Sequence, residues 1–119
     1  MNFRPTALGY IRSDVSRVQQ AWDEEQIRSR ARRLGYDFAK MVVVDGRTND
    51  RPLAGLKATI ARIEAEAVFV PSAAHFAGEA VPAGLIRVAD VITVNPFVTY
   101  ARWSTGLVDS AGQGTADTA

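Results

Sequence analysis

The chain contains no cysteine and a single histidine in 119 residues, so it has no disulfide framework, no thiolate metal site and no histidine cluster. Aromatic residues make up 8% of the chain, and no apolar run approaches the roughly 20 residues that a membrane-crossing helix needs. Charge of one sign is also missing. Fourteen Lys and Arg stand against 13 Asp and Glu, and the net +1 gives no global attraction to nucleic acid or to an anionic membrane. The first residues, Met1 to Thr6, lack the basic start and apolar stretch of a secretory signal. These absences lead us to expect a cytoplasmic protein with no membrane attachment, no cofactor and no metal.

What remains is the composition of an ordinary globular domain, 47% hydrophobic and 23% charged. The length suits one core and leaves no room for a substantial second domain. Residues 7–12 read as a first strand. Residues 16–34 have helix-forming composition and stop at Gly35, with Ile27, Ala31 and Leu34 on one face and Val18 and Trp22 off that stripe. Residues 38–44 are apolar on both faces and predict a central strand covered by helices. Asn49 or Asp50 is expected to cap a helix that takes Pro52 in its first turn and gathers Leu53, Leu56, Ile60 and Ile63 into one arc. Strands are predicted at 67–71 and 91–94, with only short helical pieces between 73 and 89. The alternation predicts a three-layer α/β/α domain over residues 1–109, with a mainly parallel sheet of four or five strands. The small polar residues of 110–119 predict a disordered tail.

One segment carries more information than the rest. Tyr10-Ile11-Arg12-Ser13-Asp14 has the form Tyr-x-Arg-x-Ser with an aspartate in the last place, and in that form it resembles the opening of the catalytic domain of serine recombinases, the resolvase and invertase family. The resemblance extends through Ala31-Arg32-Arg33-Leu34-Gly35-Tyr36, through Val44-Asp45-Gly46 and Asp50-Arg51-Pro52-Leu53, and through Ala67-Val68-Phe69-Val70-Pro71-Ser72. It covers about the first two-thirds of the chain and implies a resolvase-like fold. Tyr10, Arg12, Asp45 and Arg51 stand at positions that match the family. The nucleophilic serine's place holds Asp14, and the Asp-Arg-Leu-x-Arg motif that grips the scissile phosphate is replaced by Ala74, His75 and Gly78. Phosphoryl transfer through a phosphoserine needs an attacking oxygen and a cationic clamp. The resemblance therefore implies a pseudoenzyme. After the last strand only about 25 residues follow, so we expect neither the family's long helix nor its DNA-binding domain.

Side chains two apart on a strand share a face, so Arg12 and Asp14 are expected to pair while Ser13 points away. His75 reads as a hydrogen-bonded structural residue, with general acid/base work as the alternative. Ser13, Ser16 and Ser72 lack a Gly-x-Ser-x-Gly elbow that would mark a nucleophile. Arg28, Arg30, Arg32 and Arg33 read as a solvated helix face. Arg12, Arg47 and Arg51 are a candidate anion rim at the strand ends. Phe97, Tyr100 and Trp103, spaced for a short helix, read either as closing the core or as an exposed interface, for which the off-stripe Trp22 is a further candidate.

The expected function is therefore non-catalytic: protein–protein interaction through a homodimer or another partner, as a regulatory or accessory module. The alternatives are a DNA-associated accessory to an active recombinase, which the charge balance supports only weakly, and a phosphoester-processing enzyme using Asp14 and Asp45, with magnesium as the metal suited to carboxylates.

Overall fold

A computed structural model describes residues 4–102 of the chain. Trp103 and the expected tail at 110–119 lie outside the described residues.

Five strands form one sheet: β1 (Thr6–Arg12), β2 (Asp37–Val44), β3 (Ala67–Val70), β4 (Asp90–Thr93) and β5 (Val98–Tyr100). Their order across the sheet is β2-β1-β3-β4-β5, with β5 alone antiparallel. The helices are a single turn α1 (Ser13–Ser16), the longer α2 (Gln20–Arg33) and α3 (Pro52–Ile63), and the short α4 (Ala83–Ile86). Short 3-10 turns cover Arg17–Gln19, Ala73–His75 and Ala77–Glu79.

The period-2 alternation of the strands divides the core between the two faces of the sheet. Ala7, Ile11, Ala67, Phe69 and Ile92 pack against Ile27 and Ala31 of α2. Leu8, Tyr10, Val68, Val70 and Val91 pack against Leu56 and Ile60 of α3 and Leu85 and Ile86 of α4. The two clusters make the three layers that the alternating strands and helices predict. Burying a side chain such as Ile27 or Leu56 completely contributes about 1.5–3 kcal/mol.

Several expectations are corrected. The apolar run at 38–44 is an edge strand, because the chain leaves β1 for β2 on one side and returns across β1 to β3 on the other. Val43 is accordingly 41% exposed. The helix expected at 16–34 is interrupted: Arg17 takes φ 54° and ψ −125°, a backbone conformation that no helix continues through. Leu34 is exposed, since it lies at the C-cap of α2 and not on the buried face. Helix α3 has Arg51 at its N-cap with no side-chain bond, while Asn49 accepts the Arg51 amide one step earlier in the loop. Phe97 and Tyr100 belong to the β4–β5 hairpin and not to a helix.

Both long helices end alike. Gly35, at φ 84°, allows its own amide to reach the Arg32 carbonyl and that of Tyr36 to reach the Ala31 carbonyl, the pair of hydrogen bonds that closes a helix through a left-handed residue. At the end of α3 the left-handed place is taken by an exposed glutamate, Glu64 at φ 57°, and the Ala65 amide reaches Ile60. A left-handed conformation disfavours any residue with a Cβ. Glu64→Gly is expected to raise the unfolding free energy by about 0.5–1 kcal/mol, read as a higher urea midpoint with an unchanged slope. A lower midpoint would show that the Glu64 side chain contributes more than its backbone strain removes.

Candidate functional site

The strand order places a topological switch between β1 and β3, where consecutive connections leave the sheet in opposite directions. Open α/β sheets bind their ligands outside the carboxyl ends of the strands at such a point. Two groups of residues meet here.

The first is a clamp between the ends of β1 and β2. The Asp14 carboxylate accepts from Arg12 Nη2 at 2.5 Å and Nε at 3.3 Å, and from the Gly46 amide at 2.8 Å. Beside it Ser13 Oγ donates to the Val44 carbonyl at 3.3 Å. The Arg12–Asp14 contact expected from the sequence is present, but for a different reason. Strand β1 stops at Arg12, and Asp14 sits in the helical turn α1, which swings its carboxylate over the guanidinium. Arg12's hydrogen bond, followed by Gly46's, holds the Asp14 carboxyl well below its ordinary 3.8, at about 2. Gly46 lies so close under the Arg12 guanidinium that any Cβ there would collide with it. A glycine at this position is a condition of the ion pair.

The second group lines a cleft of about 570 Å3. His75 and Ser72 come from the segment after β3, Asn95 from the turn after β4, and Ser16, Arg17 and Asp23 from the interrupted helical segment after β1. Ser16 Oγ donates to Asp23 Oδ2 at 2.5 Å. Seven residues apart on one straight helix, these groups would be separated by about 10 Å along the axis. The break at Arg17 brings them together, and a reading of 16–34 as one helix had no signal for it.

His75 joins the two groups. It is 3% exposed, and its Nδ1 accepts the backbone N–H of Arg12 at 3.0 Å. That bond fits the expected structural histidine. It also sets the tautomer, because an accepting Nδ1 carries no proton and the ring's hydrogen is on Nε2. Burial pushes the His75 pKa below its ordinary 6.5 and keeps the ring neutral at pH 7.

The remaining candidates are dispersed. Tyr10 is a core residue, its ring stacked on Phe76 with centroids 5.5 Å apart, and burial raises its pKa. Ala74 is exposed, with its amide on Ser72 Oγ, and Gly78 lies in a left-handed turn at φ 70°. Of the anion rim, Arg12 is paired with Asp14, and Arg47 with Asp45 through Nη2 at 2.9 Å and Nε at 3.1 Å. That pairing lowers the Asp45 pKa. Arg51 is exposed at the start of α3. Among the described residues no group of three or more His, Asp or Glu is placed to hold a metal ion. On α2, Arg28 bonds Glu24 at 3.2 Å and Arg30 lies 4.3 Å from the centre of the Phe97 ring. Phe97, Tyr100 and Trp22 are 48%, 36% and 64% exposed.

Comparison with protein-family models, with curated proteins and with solved structures finds no match for the chain in any of the three.

The clamp makes stability depend on acid. Asp14's folded pKa lies below its unfolded one, so its contribution is complete above about pH 4 and is lost as the pH falls through 2. Asp14→Asn is expected to lower the urea midpoint at pH 7 and to flatten the fall in stability between about pH 4 and pH 2, measured by circular dichroism. Parallel pH profiles for the two proteins would remove Asp14 as the acid-sensitive group.

Proposed function

We propose that this domain is a non-catalytic relative of the serine recombinase catalytic domain, acting as a regulatory or accessory module that binds a protein partner or a second copy of itself. The observation that carries this reading is the state of Asp14. The residue in the nucleophile's place is an ionised carboxylate with its oxygens committed to Arg12 and Gly46. A carboxylate so held repels a phosphate and offers no hydroxyl for attack. The arginine beside it is neutralised by the same contact. The five-stranded, mostly parallel sheet is consistent with a resolvase-like fold.

A phosphoester enzyme built on Asp14 and Asp45 is disfavoured, because each carboxylate is held by its own arginine, Arg12 or Arg47. The same two pairs neutralise Arg12 and Arg47 of the strand-end rim, which weakens it as a surface for duplex DNA. No helix among the described residues is long and apolar enough to cross a membrane. For the partner we favour the β5 edge, where Phe97, Val98 and Tyr100 are exposed and where, among the described residues, no strand pairs with the outer side of β5. Open strand edges with apolar side chains are ready pairing surfaces.

Two measurements test these readings. Incubated with duplex DNA and run under denaturing conditions, the protein and its Asp14→Ser variant are both expected to give no covalent adduct, since His75 and Gly78 still replace the phosphate clamp. A DNA-linked serine in either protein would overturn the non-catalytic reading. In light scattering, the full chain alone or with its captured partner is expected to run above the monomer mass, and a Phe97→Ser, Tyr100→Ser variant at the monomer mass. An assembly indifferent to both substitutions would move the interface off the β5 edge.

A further inference from the structure

The cleft beside His75 is not accounted for by partner binding, and its lining is specific enough to name a ligand class. Its volume of about 570 Å3 falls within the range of small-molecule sites. It opens at the switch point, where the fold exposes strand ends. One of its walls contains a buried polar atom without a protein partner: His75 is 3% exposed, its Nδ1 is taken by the Arg12 amide, and Nε2–H has no acceptor among the described residues. A buried donor of this kind calls for an acceptor from outside the described residues.

The charges of the lining narrow the choice. Arg17 contributes one positive charge and Asp23 one negative, while His75, Ser16, Ser72 and Asn95 contribute none. A lone anion such as phosphate would meet Asp23, and a lone cation would meet Arg17. A ligand with both signs satisfies both. Asp23 is already oriented, because Ser16 Oγ holds its Oδ2 and leaves Oδ1 to a donor. The positive-φ backbone at Arg17 builds this arrangement, since it ends α1 and breaks the helical path between Ser16 and Asp23. Val15, Val18 and Pro71 add an apolar wall.

We propose that this cleft binds a small zwitterion of the α-amino-acid type, its carboxylate received by His75 Nε2–H and the Arg17 guanidinium and its ammonium by the Asp23 carboxylate. The ligand's side chain lies against Val15, Val18 and Pro71. This assignment rests on the geometry of the cleft and holds whether or not the domain descends from recombinases.

Titration calorimetry of the full chain with the free protein amino acids, with their N-acetyl and amide derivatives and with inorganic phosphate tests it. At least one free amino acid is expected to bind at one site per chain, and blocking either end is expected to weaken it about tenfold or more. Arg17→Gln, at an exposed position, and Asp23→Asn are each expected to weaken it similarly, with Arg17→Gln leaving the thermal melt unchanged. Should Asp23→Asn lose its fold through the Ser16 bond, the amide and acetyl derivatives and Arg17→Gln still decide the matter. Absence of binding at about 10 mM ligand, binding indifferent to blocked ends, or tighter binding of phosphate would each overturn the proposal.

Discussion

The carboxylate of Asp14 is where the carboxyl ends of the first two strands are held together, and the geometry of the whole strand-end surface follows from it. It takes the guanidinium of Arg12 from β1 and the amide of Gly46 from the loop after β2, while Ser13 reaches the Val44 carbonyl alongside. Five residues thereby close the gap between two segments that sequence separates by more than thirty positions. With Arg12 positioned in this way, its backbone N–H points at His75, and the segment after β3 is drawn into the same network. A change at Asp14 therefore acts on three strand ends at once, although its side chain touches only two.

The second constraint is the backbone at Arg17. A non-glycine residue at positive φ is disfavoured, and such conformations persist where the surrounding structure enforces them. Here the enforcing contacts lie on either side: Asp14 and Ser13 fix the turn before Arg17, and the packing of Ile27 and Ala31 fixes the helix after it. The chain between those anchors must break. The break opens the cleft, exposes Val18 almost completely and brings Ser16 and Asp23 into contact. Site and strain arise from the same few residues.

The charged groups at the strand ends are paired among themselves to an extent that shapes what this surface attracts. Arg12 with Asp14 and Arg47 with Asp45 are both close pairs between residues two apart in sequence, so two of the three rim arginines are neutralised. A phosphate-gripping surface needs uncompensated guanidiniums. The contrast between the neutralised rim and the buried, uncharged His75 donor moves the chemistry of this end from the rim to the cleft.

Much of the architecture was legible in the amino-acid sequence, because its signals are local. The arc of Leu56 and Ile60, the stop at Gly35 and the short strand at 67–70 depend on neighbours within a turn or on alternate residues, and periodicity records them directly. The pairing of Arg12 with Asp14 was expected from strand alternation, although it forms because the chain turns into α1 directly after β1. Strand order is not local. That β2 is an edge, that the helix expected at 16–34 is interrupted at Arg17, and that Phe97 and Tyr100 sit in a hairpin depend on which strands pair and on where the loops must close. The bond from the Arg12 amide to His75, across 63 residues, is likewise beyond any window of sequence. The sequence by itself determined a layered α/β domain with an arginine and an aspartate two residues apart at the end of its first strand. The tertiary structure alone decided that this aspartate is a clamp and that a cleft opens beside it, because both depend on hydrogen bonds between segments that only folding brings together.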